Sequence, residues 1–343
     1  MQNLVPGSIN RVLVRMPNWI GDAVMATPAL GAIRASFPAA QIVVVANPLV
    51  AELFTFHPDC SQVLRFDKQS AHGGISGFWH FCRTLRKERF DLAILLQNAF
   101  EAALMAVLAG IPRRAGYRTD GRGMLLTMGV AAVDKKHGMH HVDYYLHMLG
   151  QLGLSGGSRS PRLALMPVEE AWAVQHLGQG RWVAINPGAS YGAAKRWIPE
   201  RFAAVADGLV EEFGVRVVLT GGPGEVEIGR DIEHSMKSAP LNLIGNTSVR
   251  ELMAVLAHCR LVVTNDSGPM HVAAAFGVPI VAVFGPTDHK TTSPTSDNCR
   301  IVRKEVDCAP CMLRECPIDH RCMERLSAEE VLAAARELLS ASR

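Results

Sequence analysis

An apolar run, Leu261-Val262-Val263, ends in the polar turn Thr264-Asn265-Asp266-Ser267-Gly268-Pro269-Met270-His271. The small-residue segment Val272-Ala273-Ala274-Ala275-Phe276-Gly277 follows, and then a second apolar run from Val278 to Phe284. This order predicts strand, sharp turn, short helix, strand. Asp266 or Ser267 suits the N-cap, Pro269 the first helical turn and Gly277 the C-terminal stop. The turn then aims free backbone N–H groups, and the positive end of a helix dipole worth roughly half a charge, off the end of a parallel sheet. Open α/β sheets bind anionic ligands at that edge. Ser267 and Gly268 can offer N–H groups to a phosphate. Asp266, which a phosphate repels, suits sugar hydroxyls. His271, one turn into the helix, can reach the same ligand. Capping and packing alone would account for the same residues.

Alternation of this kind runs through the chain. Arg11-Val12-Leu13-Val14-Arg15 is a first strand, followed by the turn-forming Pro17, Asn18 and Gly21 and a helix from about Asp22 to Ser36. Strands are expected at 41–46, 62–66 and 91–97, with helices near 48–55, 77–88, 99–109 and 140–153. Residues 1–10 read as a loose leader. The Gly-, Ser- and Pro-rich segment Leu154–Pro161 is the interdomain linker, which places domains at 1–160 and 161–343. The chain of 343 residues is long enough for two full cores. Strand alternating with helix argues for parallel, doubly wound sheets. No Gly-x-Gly-x-x-Gly opens the first helix, and Gly222-x-Gly224 lacks a third glycine, which counts against a dinucleotide-dependent oxidoreductase.

In the second half Trp182–Ile185 is a strand and Asn186-Pro187-Gly188-Ala189-Ser190 its turn. A loop carrying Lys195, Arg196 and Trp197 leads to a helix at about 199–213. Small residues let backbone approach a ligand there, and Lys195 brings a mobile positive charge. Strands at 215–220 and 241–244 and helices after Gly224, at 248–258 and at 327–340 complete the series. The last helix can pack back on the first domain. Glu225 sits at a helix start, where the dipole favours a carboxylate.

Asp22 lies where the first strand's loop meets its helix, a place where a carboxylate can be a plain N-cap. Gln97 and Asn98 end a strand at the same edge and could simply pin the loop. Residues 111–122 read as a basic loop with Arg113, Arg114, Arg118 and Arg122, and Lys135 and Lys136 lie further on. Arginine binds carboxylate and phosphate bidentately, so this is either a solvated loop or an anion-binding rim. His137, His140 and His141 lack metal-ligand spacing with carboxylates and read as surface or helix-start residues.

These motifs carry a resemblance. Asp266-Ser267-Gly268-x-x-His271 with Phe284-Gly285-Pro286-Thr287, Pro187-Gly188-Ala189 with Lys195-Arg196-Trp197-x-Pro199, and Arg15-x5-Gly21-Asp22 resemble glycosyltransferase family 9, the ADP-heptose glycosyltransferases. The likeness covers nearly the whole chain and is greatest to the heptosyltransferase II branch. It implies a GT-B fold, two Rossmann-like parallel-sheet domains facing across a cleft, with the acceptor on the first and the donor on the second. It further implies inverting transfer of L-glycero-D-manno-heptose from ADP-heptose to the first heptose of a lipid A–Kdo–heptose acceptor. Asp22 would be the general base. Lys195, Ser190, Arg196, Glu225, Asp266, Ser267, Gly268, His271 and Thr287 would contact the donor, and Asn18, Asn98, Arg113, Arg118 and Arg122 the acceptor. No metal or cofactor is required for catalysis on this reading. Alternatives are a sister transferase acting on another core position or on protein, a sugar-nucleotide epimerase of the same design, or a non-catalytic nucleotide-sugar sensor.

Hydrophobic residues make up 48% and charged residues 20%, and the net charge of +3 is too small to suggest nucleic acid. No signal-peptide pattern precedes the first strand and no apolar run nears the ~18 residues of a membrane helix. A cytoplasmic protein with reduced thiols is expected, touching the inner membrane only peripherally. Cys308, Cys311, Cys316 and Cys322, with His320 nearby, could hold structural zinc or iron, remain free thiols or form disulfides.

Overall fold

The computed structural model describes residues 9–133 and 138–341. Lys135, Lys136 and His137 lie outside these, as do residues 1–8 of the leader. The chain forms two compact units, 1–164 and 165–343. The division falls a few residues beyond the Gly/Ser-rich run because the segment after it stays tied to the first unit. The Arg162 N–H donates to Thr27 Oγ1 at 3.0 Å, the Arg162 carbonyl meets His57 Nε2 at 2.8 Å, and Leu163 is buried.

The first unit runs β1 (Arg11–Arg15), α1 (Ile20–Met25), α2 (Thr27–Ser36), β2 (Gln41–Ala46), α3 (Pro48–Phe54), β3 (Gln62–Arg65), α4 (Gly74–Lys87), β4 (Leu92–Leu95), α5 (Phe100–Leu108), β5 (Arg113–Tyr117), β6 (Met128–Val130) and α6 (His141–Gln151). Its six strands are all parallel, in the order β3-β2-β1-β4-β5-β6. The central strands read as unbroken apolar runs because helices cover both faces of the sheet; Val12, Val14, Val43 and Val45 are fully buried.

The second unit runs α7 (Pro167–Leu177), β7 (Trp182–Asn186), α8 (Pro199–Phe213), β8 (Arg216–Leu219), α9 (Val226–Ser235), β9 (Leu241–Asn242), α10 (Val249–His258), β10 (Leu261–Asn265), α11 (Gly268–Ala275), β11 (Ile280–Phe284), α12 (His289–Thr292), β12 (Cys299–Arg303), α13 (Arg321–Glu324) and α14 (Ala328–Ala341). Its order, β12-β11-β10-β7-β8-β9, repeats that of the first unit strand for strand. Local chemistry explains the boundaries. Pro199 starts α8 and Gly214, left-handed at φ 59°, ends it. Ser248 and Glu251 form a capping box at α10.

Several elements differ from the sequence expectation. The helix expected over 22–36 is two helices. Pro28 has no N–H for the Val24 carbonyl, and the Thr27 hydroxyl donates to that carbonyl instead, at 2.8 Å. The basic loop expected over 111–122 contains strand β5, because Ala115, Gly116 and Tyr117 are buried between β4 and β6. Helix α7 and strands β6 and β12 were not anticipated. The two strands are short or only partly buried, and neither presents a clear apolar run. Helix α14 packs on α8, β10, β11 and β12 of its own unit. A side chain at Gly208 of α8 would place Cβ 2.6 Å from Leu332 of α14.

Candidate functional site

In each sheet the chain works outward from its first strand and then crosses to the other side. The crevice at such a reversal, beyond the carboxyl ends of the strands, is where doubly wound sheets take ligands. In the second unit the reversal lies between β7 and β10. Asn186 ends β7 and Asn265 ends β10, and both are buried. The Asn186 amide donates to the Thr220 carbonyl at 2.8 Å, and the Ser267 hydroxyl donates to Asn186 Oδ1 at 3.3 Å. The Asn265 amide donates to the Pro187 carbonyl at 2.7 Å while its oxygen accepts from the Trp197 N–H at 3.2 Å. Two buried asparagines thus tie three ligand-edge loops together, those after β7, β8 and β10.

Asp266 follows β10. Its Oδ2 accepts from the Lys195 ammonium at 2.5 Å and from the Thr287 hydroxyl at 2.6 Å. The Lys195 side chain is 12% exposed and that of Asp266 5%, so this is a buried ion pair. Lys195 is therefore anchored, which corrects the expectation of a mobile charge. Its Nζ also stands 4.9 Å from the Tyr191 ring centroid. An ammonium has three donors, so a ligand oxygen can take one while Asp266 keeps another. Ser267 occupies the N-cap of α11 but makes no side-chain cap, because its hydroxyl is turned to Asn186 and Thr264. The helix start is thereby left uncapped by Ser267. His271 is buried in α11.

Glu225 accepts the Gly222 N–H at 2.7 Å and begins α9. Burial raises its pKa, against the lowering effect of that hydrogen bond and of the Arg196 charge. Its carboxyl group fills the space beside Gly188, where an added Cβ would stand 1.9 Å away. Ser190 is exposed at the turn after β7, and Arg196 follows Lys195 into the start of α8.

The cysteine-bearing segment braces these loops from outside. The Ala194 N–H donates to the Arg314 carbonyl at 2.9 Å, His320 Nε2 meets the Ala194 carbonyl at 2.7 Å, and the Tyr191 hydroxyl donates to the Met312 carbonyl at 2.8 Å. The Met312 N–H donates in turn to the Pro286 carbonyl at 2.8 Å, beside Thr287. All eight cysteines are free thiols, and among the described residues no three His, Cys, Asp or Glu side chains are grouped to hold a metal. Burial raises the Cys322 pKa, with a further rise from Cys308, Cys311 and Cys316.

In the first unit the reversal lies between β1 and β4. Arg15 ends β1, fully enclosed, and burial lowers its pKa to about 10. Its guanidinium donates to the Met16 and Val45 carbonyls and, at 3.2 Å, to Asn18 Oδ1, holding the exposed Asn18 in place. Asp22 is the third residue of α1, whose N-cap is Trp19, and it makes no capping bond. Its Oδ1 lies 3.1 Å from Nδ1 of His141, the first residue of α6, with 27% of the Asp22 side chain and 41% of the His141 side chain exposed. Sequence reasoning placed His141 at a helix start but missed this contact. The nearest signal was the histidine cluster, which names no partner.

Arg122 corrects the acceptor-rim expectation. It is fully buried, and its guanidinium donates to the Tyr117, Leu95 and Gln97 carbonyls and at 2.7 Å to Asn98 Oδ1. Asn98 Nδ2 donates at 2.7 Å to the Tyr144 hydroxyl. Arg122 and Asn98 thus pin the β4–α5 turn. Arg114 clamps the carbonyls of Ile111 and Leu125. Arg113 is half-exposed and Arg118 exposed, the latter lying against Gly123 and Gly129.

Residues 78–321 match the family described as glycosyltransferase family 9 (heptosyltransferase). A lipooligosaccharide heptosyltransferase 2 of Campylobacter jejuni is 30% identical over 97% of this chain and 99% of its own length. Among solved structures, a family 9 glycosyltransferase of Veillonella parvula superposes with TM-score 0.87 at 25% identity, covering 96% of this chain and 97% of that one. The ADP-heptose lipopolysaccharide heptosyltransferase II of Escherichia coli superposes with TM-score 0.84 at 28% identity, covering 97% and 99%. Two Rossmann-like parallel sheets, the ligand-edge motifs in each and this end-to-end likeness agree: the chain is a GT-B glycosyltransferase and belongs to glycosyltransferase family 9, the heptosyltransferases.

Proposed function

We propose that this enzyme moves L-glycero-D-manno-heptose from ADP-heptose to the first heptose of the lipopolysaccharide inner core, the heptosyltransferase II reaction, with inversion. The observation that carries this reading is the match to a heptosyltransferase 2 along 97% of the chain. In this reading Asp22 takes the proton of the acceptor hydroxyl. That oxygen forms the new bond to the anomeric carbon from the face opposite the diphosphate, and ADP leaves with the bonding pair. Lys195, the Ser267 and Gly268 N–H groups and the α11 dipole meet the leaving group's charge. Asp266, Thr287 and His271 orient the sugar and its phosphate, and Glu225, Ser190 and Arg196 border the nucleoside. Because these groups supply the positive charge, no divalent metal is required. Asn18, Arg113 and Arg118 face the acidic acceptor.

The donor-binding residues belong to the second unit and the acceptor-binding residues to the first. The acceptor is lipid A–Kdo–heptose, so the protein works in the cytoplasm in peripheral contact with the inner membrane. No helix among the described residues is long and apolar enough to cross a membrane. Nucleic acid has no part in this reading. Incubation with ADP-heptose and a panel of truncated lipopolysaccharides tests it. One heptose added to the acceptor that ends in a single inner-core heptose, with stoichiometric ADP, is expected. Addition to another acceptor, or ADP release without any acceptor, would overturn it.

A further inference from the structure

Helix α4 presents a face that the transfer chemistry does not use. Its inner side buries Phe81, Cys82 and Leu85. Its outer side carries Ile75, Trp79, Arg83 and Arg86, spaced so that they stand in one stripe along the helix. Ile75 is 80% exposed and Trp79 50%. Arg83, Arg86, Lys87 and Arg89 line one open surface pocket at the helix's C-terminal end. The helix contains no Asp or Glu, and the next acid, Glu88, is ion-paired with Arg11. Among the described residues those four cations form no ion pair. A tryptophan and an isoleucine at one end of a stripe, with clustered cations at the other, match a bilayer interface. Indole sits at headgroup level there, and anionic phosphates attract arginine and lysine.

We propose that the outer face of α4 docks the protein on an anionic lipid surface, with Arg83, Arg86, Lys87 and Arg89 against headgroup phosphates and Trp79 and Ile75 in the interfacial layer. This deepens the lipid-linked acceptor reading and rests on it. Charge complementarity selects the occupant. Two apolar side chains beside four unpaired cations are too small an apolar area for a stable protein interface, whereas an anionic leaflet satisfies both parts.

The test uses the full chain with phosphatidylglycerol/phosphatidylcholine vesicles and with pure phosphatidylcholine vesicles. The parent should sediment with the anionic vesicles and not the neutral ones, and should be released by high salt. The double variant Arg83→Glu/Arg86→Glu should lose at least about tenfold in partitioning. Lipids brominated near the headgroup should quench fluorescence in the parent and much less in Trp79→Phe. Turnover on a soluble, deacylated acceptor should be unchanged in both variants, while turnover on vesicle-embedded acceptor should fall in the charge-reversed one. Equal binding of parent and double variant to anionic vesicles, or equal binding of the parent to neutral ones, would overturn the proposal. So would a protein dimer that the variants dissolve without any vesicle binding. Failure of the parent on the deacylated acceptor would instead overturn the transfer reading, since vesicle partitioning is measured without turnover.

Discussion

At the residue scale the central feature is the buried pair of Lys195 and Asp266. Removing one partner of such a pair leaves the other charge enclosed, at a cost of about 3–5 kcal/mol. Lys195→Ala should therefore lower the melting temperature as well as the affinity for ADP-heptose. Lys195→Met/Asp266→Leu should recover stability without recovering affinity, as scanning calorimetry and titration calorimetry would show. A single variant of unchanged stability would mean the pair is not enclosed in solution. Glu225 gives a pH test. Burial raises its folded-state pKa above the ordinary value of 4.5, so folding is favoured while it is protonated and loses that contribution as pH rises through the folded value. Glu225→Gln keeps an oxygen for the Gly222 N–H and should raise the melting temperature at pH 7. The gain should shrink to nothing as pH falls below the ordinary carboxylate range. A gain independent of pH would assign it another origin. His141→Ala should lower kcat a few-fold without changing donor affinity, because it removes only a half-exposed partner of Asp22.

At the element scale, the turn after β10 was legible because strand, cap, proline and glycine occur in a fixed order within one short stretch. The residues that hold that turn were not. Asn186 and Asn265 are ordinary strand-end asparagines until the fold brings three loops to them. Arg122 reads as a surface charge because its neighbours in sequence are polar; only the pairing of β4, β5 and β6 encloses it. The brace over the Lys195 loop was equally hidden, since it joins residues over a hundred positions apart. Gly192 tests that brace. A Cβ there would stand 2.3 Å from the Arg314 carbonyl oxygen, a backbone atom that cannot swing aside. Gly192→Ala should cost about 1–3 kcal/mol as overpacking and weaken donor binding. Unchanged values for both would show that the two segments do not meet.

On the scale of the whole molecule, alternation of strand and helix was enough to anticipate two parallel sheets, but not the strand order that locates their crevices. Each unit has the same order and places its motif residues beside the strand-order reversal: Asp22 in the first, Lys195, Asp266 and Ser267 in the second. The proposed mechanism gives proton removal to a residue of the first unit and donor binding to residues of the second, so the two should separate experimentally. The most direct measurement is kinetics and donor titration on Asp22→Asn. In that variant kcat should fall ~10²–10⁴-fold, the usual worth of general-base help, while the dissociation constant for ADP-heptose stays at the parent value. An Asp22→Asn enzyme with parental kcat, or one whose loss of rate is matched by loss of donor affinity, would contradict the proposed mechanism.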